Sequence, residues 1–272
     1  MSVCRKAGVA FVAALTMLLG LDSPAVAAKS ERFWLCDLPS WAVAGQYSLS
    51  SMQLRSNGVV VDSAMTREEA LGDAVVPPEG QAIHAKMKPL LCVLPVVYRG
   101  YDSKIHLGQV IVHEFVAPRV ARLFVKMFML GFPIKSVIPQ SRFGYKDAAS
   151  MAANNSSAYR PEPGSEHRTG STVDLNPFQN PFDRTQHNPP SPIEPPGAVY
   201  DRAAKGTILK EGDVRKAWTA EHFEWGGGWG DPEATPPTDY WVGHPGYFDY
   251  QHFQPDYSWY ESFYRDHVPA GL

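Results

Sequence analysis

Charge of either sign is scarce in this chain, and so are long apolar runs. Charged residues make up 19% of the 272, and the formal net charge is only −3. A balance so near neutral leaves no electrostatic footprint for nucleic acid, so no nucleic-acid partner is expected. A single apolar run stands out, Ala7 to Leu21, and it is too short and wrongly flanked for a membrane span. No other segment qualifies, so stable membrane insertion is not expected either. Internal repeats are absent, which argues against a solenoid or propeller. Cysteine is limited to Cys4, Cys36 and Cys92.

The apolar run has a different meaning in its context. Arg5 and Lys6 precede it and Ala25-Val26-Ala27 follow it, the layout of a secretory signal over residues 1–28. Cys4 lies ahead of the run and so is not at a lipoprotein cleavage position. Export to the periplasm or the extracellular space is the expectation. Removing the signal takes away Arg5, Lys6 and Asp22 and moves the formal charge from −3 to −4. Cys36 and Cys92 then remain, an even count compatible with one disulfide in an oxidising compartment.

The rest of the chain, 44% hydrophobic overall, is long enough to bury one substantial core. Gln109 to Phe115 reads as a strand, and Pro118 stands where a helix begins. Val120, Leu123, Phe124 and Met127 recur at helical spacing, so that helix buries one face before Gly131 ends it. Asn188 to Pro196 is too rich in proline for anything but a loop. Asp213 is placed to cap a helix through Val214, Ala217 and Trp218 that stops near Gly226. Together these signals give an α+β class: a small antiparallel sheet with flanking helices carrying a zinc site. An N-terminal extension over 29–94 would precede a catalytic domain over 95–272.

The zinc site is read from one run and one distant pair. Ser165-Glu166-His167-Arg168-Thr169-Gly170-Ser171-Thr172-Val173-Asp174 and Asp249-Tyr250-Gln251-His252 supply two imidazoles, one ligand carboxylate and one spare carboxylate. A hydrolytic zinc centre needs this set: three protein ligands leave the fourth position for water, and a non-ligand carboxylate takes the proton. Val173 and Leu175 alternate with Thr172, Asp174 and Asn176 as on a short strand, and Gly170 permits a turn that folds His167 back toward Asp174. Asp249 and His252 are three apart, which on a regular strand would send them to opposite faces, so a kink or tight turn is expected between them.

At these residues the chain resembles the VanY-like D-alanyl-D-alanine carboxypeptidases and L-alanyl-D-glutamate endopeptidases of bacterial cell walls. The likeness rests on Ser-x-His-x-x-Gly-x-x-x-Asp, Asn176 to Pro181, Trp225-Gly226-Gly227-Gly228-Trp229 and Asp249-x-x-His252-Phe253. Upstream, Tyr98 to Asp102, Phe132-Pro133-Ile134 and Ala148 to Asn155 also look like that family, so the likeness runs from about Pro95 to Phe253. It implies one zinc ion held by His167, Asp174 and His252, Asp249 as catalytic acid/base, and peptidoglycan stem peptides as substrate. It also implies an arginine that steadies the polarised carbonyl oxygen, for which Arg160 matches and Arg142 competes.

The chain departs from the family at Arg168, Thr169 and Thr172, and in the long stretch between Trp229 and Asp249, which reads as a surface loop beside the site. The Trp225–Trp229 run serves packing or substrate contact, its glycines suggesting a close approach of backbone or ligand. Asp239 and His244 imitate the metal pair at a longer spacing. His106, His113 and His222 lack a carboxylate at the family spacing and read as surface or structural. A different class stays open, a non-catalytic wall-binding protein with a structural zinc site, as does an exported zinc hydrolase of some non-wall peptide.

Overall fold

A computed structural model describes residues 59–230 and 245–272. The expected signal, Cys36, and the Asp239/His244 pair lie outside the described residues. The elements are β1 (Val60–Val61), α1 (Arg67–Ala70), α2 (Gln81–Met87), β2 (Leu91–Arg99), β3 (Ile105–His113) and α3 (Ala117–Met129). They continue with β4 (Ser136–Val137), α4 (Asp147–Ala152), β5 (Asn155–Ser156), β6 (Val173–Asp174), β7 (Phe182–Asp183) and α5 (Asp213–Ala220). β8 (Phe223–Trp225), β9 (Phe248–Asp249), β10 (His252–Pro255) and α6 (Tyr257–His267) complete the order. The mixture of helices and small sheets is the expected α+β class.

β2 and β3 form a long antiparallel hairpin, with β1 added in parallel on the far side of β3. Both hairpin strands are buried on both faces, β2 largely apolar and β3 with His106, Gln109 and His113 among its apolar residues. Leu94, Val96, Val110 and Val112 join the main core, whereas Leu91, Val93 and Ile111 pack into a second cluster with Ala70, Leu71, Met87 and Tyr159. Pro95 is tolerated because β2 is a sheet edge. The expected domain start at residue 95 falls inside this strand. Cys92, buried on it, is disulfide-bonded.

α3 covers the hairpin with Val120, Leu123, Phe124 and Met127, the stripe its spacing foretells. Its stop follows from Gly131 at φ 69°, which lets Phe132 N–H return to the Met127 carbonyl at 3.0 Å. Two expected boundaries shift. The strand expected over 109–115 runs 105–113, because register with β2 and not local composition sets its ends. The helix beginning at Asp213 has Gly212 as its N-cap and stops at Ala220, since His222 at φ 67° turns the chain directly into β8.

The second sheet, β6–β10–β8, is antiparallel and carries the site. Period-two alternation gives it an apolar face of Val173, Phe223, Trp225 and Phe253, all in the main core. Trp218 of α5 stacks on Phe253 with ring centroids 4.4 Å apart. α6 packs beyond it through Phe263, edge-on to His113. The Tyr260 and Tyr264 hydroxyls of α6 both reach the Glu166 carboxylate.

Candidate metal centre

The face of the second sheet opposite the core is polar. Asp174 lies across from His252, and Gln254 lies across from Glu224. A one-residue slip of any of these three strands would turn its own polar side chains into the core, so the apolar face fixes the polar one. The alternation expected around Asp174 holds, with Val173 and Leu175 in the core, but the strand spans only Val173–Asp174, and Asn176 turns the chain at φ 46°.

His167 arrives from outside the sheet. It sits in a 3-10 turn over Glu166–Thr169, where the Ser165 hydroxyl accepts its backbone N–H at 3.3 Å. Gly170 closes that turn at φ 70°, and a Cβ there would lie 2.7 Å from a Leu91 methyl and 2.9 Å from the His113 nitrogen. Only glycine meets both demands, so the expected fold-back depends on it. The imidazole then donates from Nδ1 to the Ala158 carbonyl at 2.5 Å. Ser157, next to Ala158, pairs through its backbone with Asp174, so His167 and Asp174 share one scaffold.

These bonds decide which nitrogen faces inward. His167 keeps its Nε2 lone pair, and His252, whose Nε2 lies 2.9 Å from Gln254 Oε1, turns Nδ1 inward. His167 Nε2 lies 3.1 Å from Asp174 Oδ2, and His252 Nδ1 lies 3.3 Å from Asp174 Oδ1. One donor atom from each of the three residues falls within 4.8 Å of the others. Yet His167 Nε2 and Asp174 Oδ1 are buried with no hydrogen-bond partner, despite the short separations. They aim at a shared point and not at each other. Leaving such atoms unsatisfied costs about 1–3 kcal/mol apiece, and a cation at that point removes the cost. Two imidazole nitrogens and a carboxylate oxygen are a donor set suited to a divalent transition metal.

Asp249 enters from β9, which pairs with β7. The chain breaks at a turn over Tyr250 and Gln251, fixed by Tyr250 N–H to the Pro181 carbonyl at 3.2 Å and Leu175 N–H to the Gln251 carbonyl at 3.0 Å. This is the expected kink, and it brings Asp249 Oδ2 within 3.7 Å of His252 Nδ1. Gly226, from the glycine run, lets backbone approach: a Cβ there would lie 2.7 Å from the Asp249 carbonyl oxygen. Trp225 and Trp229 are buried, Trp225 in the core and Trp229 beside the His252 ring at 5.1 Å between centroids.

Burial pushes the Asp249 carboxyl up to about 7, with Asp174 and Asp147 adding to the rise and His252 and Arg160 opposing it. Against the penalty of burial, Asp174 and Asp249 raise His252 to about 9. Burial also disfavours charge on Asp174, but His167 and His252 outweigh it and hold this carboxylate well below the ordinary range. Burial, with Arg160 nearby, lowers His167.

Arg160 lies against this centre, its side chain 11% exposed. Its Nη1 is 3.1 Å from Asp147 Oδ1 and 3.5 Å from Asp174 Oδ2, and its Nε donates to Glu162 Oε2 at 2.7 Å. Arg142 is exposed on a 3-10 turn over Gln140–Phe143. His106, His113 and His222 take no part in the cluster, being hydrogen-bonded or paired elsewhere. Sequence reasoning missed Asp147, Glu162, Glu224 and Gln254. Gln254 had a signal, two residues beyond His252 on one strand face, whereas Asp147 meets Arg160 only through the fold.

Residues 159–236 match the family model of D-alanyl-D-alanine carboxypeptidases. No curated protein and no solved structure matches the chain. Arg160, His167, Asp174 and the Trp225–Trp229 run fall inside the matched segment, and the fold brings Asp249 and His252 to it from beyond. Over residues 159–236 the chain is similar to the D-alanyl-D-alanine carboxypeptidases, which agrees with the resemblance carried by the motifs inside that segment.

Proposed function

We propose that the protein is an exported zinc peptidase that hydrolyses peptide bonds in peptidoglycan stem peptides, with residues 95–272 as its catalytic unit. The observation that carries the reading is the convergence of His167 Nε2, His252 Nδ1 and the Asp174 carboxylate, with polar atoms buried unsatisfied around one point and Asp249 beside it. Among the described residues three side chains converge, one short of the four that close a structural zinc site, which favours catalysis over a wall-binding role. Among the described residues no helix is long and apolar enough to cross a membrane.

His167, Asp174 and His252 would hold a zinc ion, which when bound would supply Lewis-acid polarisation and acidify water, lowering its pKa from about 15.7 toward roughly 7. Asp249 moves the proton. Its carboxyl, whose pKa burial raises, takes a proton from the attacking water and delivers it to the leaving amine. Arg160 steadies the oxygen on which negative charge develops, and Asp147 and Glu162 hold its guanidinium in place. The bond cleaved is proposed to be D-alanyl-D-alanine, the activity of the matched family, with L-alanyl-D-glutamate as the second candidate within the same mechanism.

Mass analysis of digested muropeptides tests the reading. Loss of a single terminal alanine, abolished by metal chelation and restored by zinc, is the expected result. Release of a longer peptide would reassign the bond, and intact muropeptides with a zinc-loaded enzyme would overturn the proposal.

A further inference from the structure

Two buried residues on the polar face of the β6–β10–β8 sheet have no part in the chemistry above. Gln254 follows His252 by two on β10, and Glu224 lies directly across from Gln254 on β8. They are 1% and 3% exposed and form an ordered relay. Gln254 Oε1 lies 2.9 Å from His252 Nε2, and Gln254 Nε2 donates to Glu224 Oε1 at 2.6 Å.

The far end sets the direction of this relay. Gln254 spends its NH2 group on the Glu224 oxygen, which turns its Oε1 toward His252. That oxygen requires the histidine proton on Nε2. Nδ1, the atom facing Asp174 at 3.3 Å, is then the nitrogen whose lone pair a cation at the centre can take. An amide with no carboxylate opposite could invert and present NH2 to Nε2. The proton would move to Nδ1 and block the atom that faces the centre.

We infer that Glu224 is a positioning residue that acts through Gln254 to set the tautomer of His252, and with it the capacity of the centre to hold a divalent cation. The inference rests on the reading of His167, Asp174 and His252 as a zinc site. Partners of this kind, one bond removed from the metal, typically change affinity by about 10- to 100-fold when lost.

The test measures zinc affinity by chelator competition on the full chain and three variants, with folding checked by circular dichroism. Glu224→Gln keeps the volume and removes the direction, so zinc binding should weaken about 10- to 100-fold. Gln254→Glu places two carboxylates in contact and should weaken it as well. The double variant E224Q/Q254E restores an amide donor facing a carboxylate acceptor, with the acceptor beside His252 Nε2. Its affinity should return to within a few-fold of wild type, which packing alone would not produce. Wild-type affinity in Glu224→Gln overturns the inference, as does a double variant no tighter than the weaker single one. Should Gln254→Glu fail to fold, Glu224→Gln and the double variant still decide. A wild-type chain that takes up no zinc sinks the metal-centre reading together with this one, whereas wild-type uptake unaffected by Glu224→Gln sinks this one alone.

Discussion

Gly226→Ala separates the position of Asp249 from its chemistry. Gly226 has an ordinary φ, so the added methyl acts by crowding and not by backbone strain. It would stand 2.7 Å from the Asp249 carbonyl oxygen, 3.0 Å from the Asp249 Cβ and 3.2 Å from the His252 Cβ. Relaxed contacts of this kind are about 3.5–4.0 Å, so the Asp249–His252 turn must retreat by roughly half an ångström to one ångström. The turn has little freedom to do so, being held at Pro181 and at Leu175. Overpacking of this sort costs about 1–3 kcal/mol, and a misplacement near 1 Å can cost about 10² in rate. Urea unfolding measures the first quantity and muropeptide turnover at saturating zinc the second. Wild-type stability together with wild-type turnover would refute the crowding argument. A stability loss with no loss of rate would show that this turn does not place the base, and would count against Asp249 in that role.

Asp249→Asn should keep stoichiometric zinc, measured by atomic absorption, and lose about 10² to 10⁴ in turnover; unchanged turnover would remove Asp249 as the base. His167→Ala should release zinc and abolish hydrolysis, since none of three ligands is spare; metal retained at wild-type affinity would break the ligand set. His113 gives an acid-sensitivity prediction away from the site. Burial lowers it to about 4, and its neutral ring is satisfied by Nε2–H to the His267 carbonyl and by Phe115 N–H to Nδ1. The folded value lies below the unfolded one near 6.5, so the unfolded chain binds the extra proton between them. Stability is therefore full above about pH 6.5 and falls by about 3 kcal/mol as pH drops toward 4. His113→Asn should remove that part of the slope in urea titrations, and equal slopes in the two proteins would contradict it.

The local half of the site was legible in the sequence because its geometry is local. Gly170 implies the turn at φ 70°, the alternation of Val173 and Leu175 implies the strand, and together they bring His167 to Asp174. The α3 stripe was legible for the same reason, since a helix face depends on neighbours three and four apart. The ends of β3 and α5 were not. One is set by pairing with β2 across the hairpin, the other by a left-handed residue, His222, that carries no glycine signal. Residues that steady the site were hidden for a related reason. Asp147 reaches Arg160 from a separate helix, and Glu224 reaches Gln254 only through cross-strand register.

That register is what makes the centre robust to its distant parts. β10 pairs with β6 on one side and with β8 on the other, so His252 is placed against Asp174 and Gln254 against Glu224 by the same strand. The apolar residues of the opposite face, Val173, Phe253, Phe223 and Trp225, allow no slip without burying charge. The core thus holds Asp174 and His252 in line from the opposite face of the sheet. A cavity made there by Phe253→Ala should therefore cost about 3–5 kcal/mol and loosen zinc binding along with it. Loss of stability in the folded variant with zinc affinity intact would mean that the ligands are held by their own loops, and that the sheet only carries them.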